Sequence, residues 1–163
     1  MRDPESFDDF YAGSVGRVIS QLYAMTGDRA EAEDVVQEAF TRAWQRWDKI
    51  SGYADPEGWV RTVAWRISVS AWRKATNRLA AHRRDSHPAP VPGIGPDYVA
   101  MISALRGISA DQRRAVVLHH LVGMSVQEIA RETGASPAAV KARLVRGRQA
   151  LAAELQEEAT FGV

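Results

Sequence analysis

The sequence predicts an all-α protein built as two small helical domains joined by a linker. Three observations carry this. Apolar residues recur at i, i+3, i+4 spacing through most of the 163 residues, the rhythm of amphipathic helices. No stretch alternates convincingly in the manner of a strand. Residues 85–97, DSHPAPVPGIGPD, hold four of the seven prolines. Prolines at 88, 90, 92 and 96 forbid helix and favour an extended spacer, which separates residues 1–84 from residues 98–163.

Each helix has its own start and stop signals. Phe7, Phe10, Tyr11, Val15, Val18, Ile19, Leu22 and Tyr23 form the apolar face of a long first helix that Gly27 ends. Asp28 with Glu31 has the spacing of a capping box. It opens a helix through Val35, Val36, Ala39, Phe40, Ala43, Trp44 and Trp47 that Ser51-Gly52 breaks. Asp55-Pro56 reads as N-cap and first-turn proline of a third helix burying Trp59, Val60, Val63, Ala64 and Ile67. A three-helix bundle with room for a short fourth element follows. Beyond the linker, Val99, Ile102 and Leu105 predict a short helix ending at Gly107. Ser109 with Gln112, and Ser125 with Glu128, predict two more capped helices, the first carrying Val116, Val117, His120 and Leu121. Ser136-Pro137 starts the last helix, with Val140, Leu144, Leu151 and Leu155 along one stripe.

Composition narrows the function. Hydrophobic residues make up 45% and charged residues 25%, ordinary for a soluble domain. No apolar run reaches the roughly 18 residues a membrane span needs, and MRDPESFDDF does not resemble a signal peptide, so the cytoplasm is the expected compartment. There is no cysteine, which excludes disulfides, thiolate zinc sites and cysteine nucleophiles. His119 and His120 are adjacent and point about 100° apart on a helix, so neither they nor His82 and His87 form a metal-ligand pair. There is no phosphate loop, nucleophile elbow or evident carboxylate pair, and Asp8-Asp9 reads as a solvated helix start. No enzyme activity, metal or cofactor is expected.

The net charge of +1 conceals a segregation. Residues 1–60 carry six basic against twelve acidic residues. Residues 61–84 carry seven basic residues and no acidic one, and Lys141, Arg143, Arg146 and Arg148 share a second acid-free stretch. Such blocks suit one basic and one polyanionic partner, with solvated faces as the bland alternative.

Ile129-Ala130, Gly134 and Val140 have the spacing of a DNA-binding helix-turn-helix. Ala130 is small where two helices cross, Gly134 supplies a positive-φ turn, and Val140 packs the second helix on the first. Thr133 stands where a larger apolar residue is usual. Ser136, Ala138, Ala139, Lys141, Ala142, Arg143 and Arg146 then face outward, small enough for close approach to a major groove and basic enough to reach phosphates or guanine edges. In the first domain, Arg61, Trp65, Ser68 and Trp72 share one side of a helix, with Arg66 and Arg73 beside them. Rings between arginines suit single-stranded or opened DNA; the alternative is that Trp65 or Trp72 is core.

At this point the chain resembles the extracytoplasmic-function sigma factors of bacterial RNA polymerase, in the actinobacterial, SigE-like branch. GDRAEAEDVVQEAFTRAWQRWDKI (27–50) is similar to their polymerase-binding and promoter-melting segment. PEGWVRTVAWRISVSAWRK (56–74) is similar to their minus-ten helix, and ISADQRRAVVLHHLVGMSVQEIARETGASPAAVKARLVRGRQAL (108–151) to their minus-thirty-five domain. The resemblance implies that Asp34, Gln37, Glu38 and Phe40 bind the largest subunits of core RNA polymerase, and that the loop from Lys49 to Glu57 captures a flipped base. It also implies that Lys49, Arg61, Trp65, Arg66, Arg73 and Lys74 serve the minus-ten element, and that Ser136, Ala138, Ala139, Lys141, Arg143 and Arg146 read the minus-thirty-five element. An anti-sigma factor is the further partner it implies. Arg66 and Ser70 stand where the family often has Asn and Asp, and Pro137-Ala138-Ala139 where many relatives carry Gly-Thr. The alternative reading is a stand-alone helix-turn-helix regulator of transcription.

Overall fold

The structure, a computed structural model, describes residues 2–78 and 95–161. The chain divides into two compact units, residues 1–86 and 87–163. The spacer expected at 85–97 lies outside the described residues up to position 94, as do His82 and His87. Its last two residues, Pro96 and Asp97, belong to a helix: a proline costs nothing in a first turn, where its missing N–H has no partner to lose. Among the described residues there are eight helices and no strand.

The first unit holds α1 (Pro4–Thr26), α2 (Arg29–Gln45), the single turn α3 (Trp47–Ile50) and α4 (Pro56–Arg78). Asp3 caps α1 by accepting from the N–H groups of Glu5 and Ser6 at 3.1 and 3.3 Å. Gly27 stops it in the left-handed conformation, φ 76°, donating its N–H to the Tyr23 carbonyl at 2.8 Å. α1 and α4 both pack on α2, whose buried Ala32, Val36, Ala39 and Ala43 allow close approach. Val18, Leu22, Met25, Val60 and Ala64 complete that core, each large apolar side chain contributing roughly 1.5–3 kcal/mol on burial. The sequence predicted an unbroken second helix to Ser51. Instead the backbone swings out at Arg46 (φ −122°, ψ 22°), and this drops Trp47 beneath Phe10, ring centroids 4.9 Å apart and nearly parallel. Phe7, Tyr11, Phe40 and Trp44 surround the pair. Six aromatic side chains from α1, α2 and α3 thereby share a common centre.

The second unit holds α5 (Pro96–Arg106), α6 (Ala110–His120), α7 (Val126–Thr133) and α8 (Pro137–Phe161). Its core is Ile102, Leu105, Val117, Leu118, Ile129, Val140 and Leu144. α6 crosses α8 at Gly147, where an added Cβ would lie 2.8 Å from Val116 Cγ2 and 3.3 Å from the Gln112 carbonyl oxygen.

Of three predicted capping boxes, only Ser125–Glu128 is reciprocal: Ser125 Oγ accepts from the Glu128 N–H at 3.1 Å and Glu128 accepts from the Ser125 N–H at 3.3 Å. Asp28 and Ser109 cap their helices, but the Glu31 carboxylate turns away to accept from Ser68 Oγ on α4 at 3.2 Å.

Candidate nucleic-acid and protein interfaces

The helix-turn-helix is α7, a tight turn and the start of α8. Gly134, at φ 74°, donates to the Ala130 carbonyl at 2.9 Å and reverses the chain. Thr133 fits where an apolar residue was expected because its hydroxyl is satisfied locally. It donates to the Ile129 carbonyl at 2.7 Å and accepts from the Ala135 N–H at 3.4 Å. Ser136 caps α8 by accepting from the Ala139 N–H at 3.1 Å. Val140 and Leu144 are buried, so the rotation of α8 is fixed. Ser136, Ala138, Lys141 and Arg146 are exposed, while Ala139 and Arg143 are half-buried. Arg143 leans toward α6, with its Nη2 3.9 Å from Asp111 Oδ2. The basic surface offered to solvent at the start of α8 is therefore Lys141 and Arg146 first.

On α4 the predicted stripe is split. Arg61 is only 3% exposed and Ser68 is buried, because both share the face that carries Val60 and Ala64 onto α1 and α2. Arg61 Nη1 donates to Gln21 Oε1 of α1 at 3.3 Å, so this residue, expected among the DNA-facing groups, points into the bundle instead. Trp65 is half-buried. Farther along, Trp72 is 57% exposed, and Arg66, Arg73 and Lys74 are exposed with it. Lys49 is exposed on α3, next to the exposed loop Ser51–Asp55.

On α2, Asp34, Gln37 and Glu38 are exposed on one face. Gln37 shares a hydrogen bond with the Tyr11 hydroxyl at 2.8 Å, and Glu38 pairs with Arg42 at 3.0 Å. Phe40 does not belong with them: it is 2% exposed, closed off by Phe7, Phe10 and Tyr11. Its side chain packs inside the aromatic cluster and is not part of the exposed acidic-polar face.

One feature escaped the sequence altogether. An apolar cleft of about 320 Å³ opens between α5, α6 and α8, lined by Met101, Leu105, Val116, Leu121, Leu151 and Leu155. Leu121 and Leu155 are 40% and 45% exposed, though the helical rhythm had counted them as core; that surplus of apolar residues at the ends of α6 and α8 was the available signal. Arg148 donates to His120 Nε2 at 3.0 Å at its edge. Partial desolvation, and next Arg148 and His119, push the His120 pKa below its ordinary value, which favours the neutral ring that accepts that bond. The cleft is chiefly apolar, with Arg148 and His120 as its polar edge. Among the described residues no group of His, Asp and Glu is placed to hold a metal ion, and no helix is long and apolar enough to cross a membrane.

Residues 10–78 match the family described as Sigma-70 region 2, and residues 98–151 match Sigma-70, region 4. The ECF RNA polymerase sigma factor SigJ of Mycobacterium tuberculosis is 35% identical over 151 residues, spanning 84% of this chain and 47% of that protein. The ECF RNA polymerase sigma factor SigL of the same species is 35% identical over 141 residues, spanning 82% of this chain and 79% of its own. Among solved structures, the sigma factor RpoE of Bartonella quintana, in complex with the anti-sigma factor NepR, is similar with a TM-score of 0.78 and 23% identity. That likeness covers 92% of this chain and 96% of the other. The chain thus spans about half of SigJ and most of SigL.

Proposed function

The chain belongs to the extracytoplasmic-function RNA polymerase sigma factors, and from that membership we propose that it binds core RNA polymerase, directs it to promoters and starts transcription there. The observation that best supports this is the division of exposed charge. An acidic-polar face on α2 (Asp34, Gln37, Glu38) suits a basic protein surface on the largest polymerase subunits. Two basic faces, at the end of α4 and the start of α8, suit DNA. Arg66, Trp72, Arg73 and Lys74, with half-buried Trp65, serve the minus-ten element of the melted strand by stacking and phosphate pairing. The loop from Lys49 to Glu57 accepts a flipped base. Ser136, Ala138, Lys141 and Arg146, with Ala139 and Arg143 at the margin, meet the minus-thirty-five element in duplex DNA. The work is done by binding, not by bond chemistry, in the cytoplasm where polymerase and chromosome lie. Polymerase holds both DNA-binding surfaces at once, so weak contacts gain from high effective concentration. An anti-sigma factor is the third partner, for which the apolar cleft is a surface of fitting chemistry.

The test is run-off transcription with purified core polymerase on fragments of the host genome. New discrete transcripts should depend on this protein, vanish with the pair Asp34→Lys and Glu38→Lys, and weaken with Arg146→Ala. A regulator acting without polymerase would shift duplex DNA alone and yield no new start site; it would also leave residues 10–78 without a role.

A further inference from the structure

Arg61, only 3% exposed, turns its charge into the bundle, and its neighbours indicate what it does there. Its guanidinium bridges two elements. One nitrogen donates to Gln21 on α1 at 3.3 Å, and Nη2 lies 3.8 Å from Asp55 Oδ2. Asp55 closes the loop Ser51–Asp55, whose five residues are all exposed. Its other carboxylate oxygen accepts from the Gly58 N–H at 2.9 Å and so starts α4. Gly58 keeps this approach open. A Cβ there would run into the Asp55 carboxylate and stand 3.3 Å from Arg61 Nη2. Beside it, Glu57 is tied to Arg17 of α1 at 2.6 Å. The near end of the loop is fixed as well: Ser51 and Tyr53 donate their N–H groups to the Trp47 and Ile50 carbonyls at 2.8 and 3.0 Å. Tyr53, 40% exposed, stands between the two anchored ends. A buried guanidinium needs partners, and Asp55 is one of them, so this pairing links the end of the loop to α1 through Arg61 and Gln21.

We propose that Arg61 is a positioning residue for base capture: anchored on α1 through Gln21, it sets Asp55 and hence the shape of the loop around Tyr53, which decides which base of the opened strand is accepted. This rests on the assignment of the Lys49–Glu57 loop to base capture. The experiment is run-off transcription by the holoenzyme on templates carrying each of the four bases at every non-template position of the minus-ten element. The wild-type protein should discriminate at one or more positions by roughly five- to a hundredfold, the usual cost of a wrong base in a recognised site. Asp55→Asn keeps the cap acceptor but removes the charge facing Arg61. It and Arg61→Met should flatten the preference at one and the same position, with affinity for core polymerase unchanged. Arg61→Lys should retain part of it. The double variant should be no flatter than either single one, since both cut the same link. Equal losses on all templates, or additive effects, would overturn the proposal. Should Arg61→Met fail to fold, Asp55→Asn decides alone: wild-type selectivity in that variant overturns the positioning role and leaves the capture loop standing. A wild-type protein with no preference at any position overturns the capture loop itself, and the role of Arg61 with it.

Discussion

Two glycines of the second unit have different reasons to be glycine, and they separate on substitution. Gly134 needs its left-handed backbone and has open space around its Cβ direction. Gly134→Ala should therefore cost about 1–2 kcal/mol, the penalty of a side chain at positive φ. Gly147 has ordinary helical backbone but no room. Gly147→Ala should push α6 off α8 and cost about 1–3 kcal/mol, as overpacking does. Chemical denaturation of the whole protein measures both, and only the second change should widen the cleft at Leu121 and Leu155. The same unit should lose stability in two shallow steps on acidification, since both groups concerned lie at the exposed surface where solvent screens them. His120 and Glu128 both have pKa values below their ordinary ones. For His120 the first cause is burial; for Glu128 it is the hydrogen bond with Ser125. Each folded-state pKa is depressed, so each contribution is complete above the unfolded value and is lost as pH falls through the folded one. The first step lies in and below the ordinary histidine range, the second below the ordinary carboxylate range. Melting temperature against pH should show His120→Ala removing the upper step and Ser125→Ala the lower, with Ser125→Ala also costing about 1 kcal/mol at neutral pH as a lost cap.

At the scale of the helix, what a short segment decides by itself could be read from the sequence, and what its neighbours decide could not. Asp3, Asp28, Asp55, Ser109, Ser125 and Ser136 cap helices through their own side chains, and Gly27 and Gly134 stop them through their own φ. These signals lie within four residues of the boundary they set. The helix-turn-helix was legible for that reason. The face that α4 turns to the bundle was not. Arg61, Trp65, Ser68 and Trp72 share one side in any helical projection, but α1 and α2 cover only its first half. A charged residue argues for exposure by type, and only the presence of Gln21 and Asp55 reverses that argument for Arg61. Phe40 failed in the opposite direction: its neighbours Asp34, Gln37 and Glu38 face solvent while it faces Tyr11. This separates two variants on α2. Phe40→Ala should cost about 3–5 kcal/mol by leaving a cavity and should impair polymerase binding only through unfolding. Glu38→Lys should impair binding with the melting temperature nearly unchanged, because the exposed pair it breaks with Arg42 contributes at most about 0.5 kcal/mol. Thermal melts beside polymerase pull-down distinguish the two.

Over the whole molecule, a near-zero net charge hides an acidic front and two basic surfaces, and the free protein should bind promoter DNA poorly because the front repels phosphate. In the holoenzyme, Lys141→Ala should weaken binding about equally on all promoters and lower the dependence of log affinity on log salt by about 0.9, the share of one phosphate contact. A titration of promoter affinity against potassium chloride reads this directly. The continuous run of α8 from Pro137 to Phe161 has a practical meaning for anyone redirecting the protein. Its first turns expose Ala138, Lys141 and Arg146, its later residues line the cleft, and Gly147 meets α6 between them. Ala138 and Arg146 are therefore an exchangeable pair, with Ser136 kept as the helix cap and Lys141 as a phosphate contact. The pair can be swapped for other reading residues while Val140, Leu144 and Gly147 stay in place, and the grafted protein should keep its melting temperature and its grip on polymerase while answering to a different address on the chromosome.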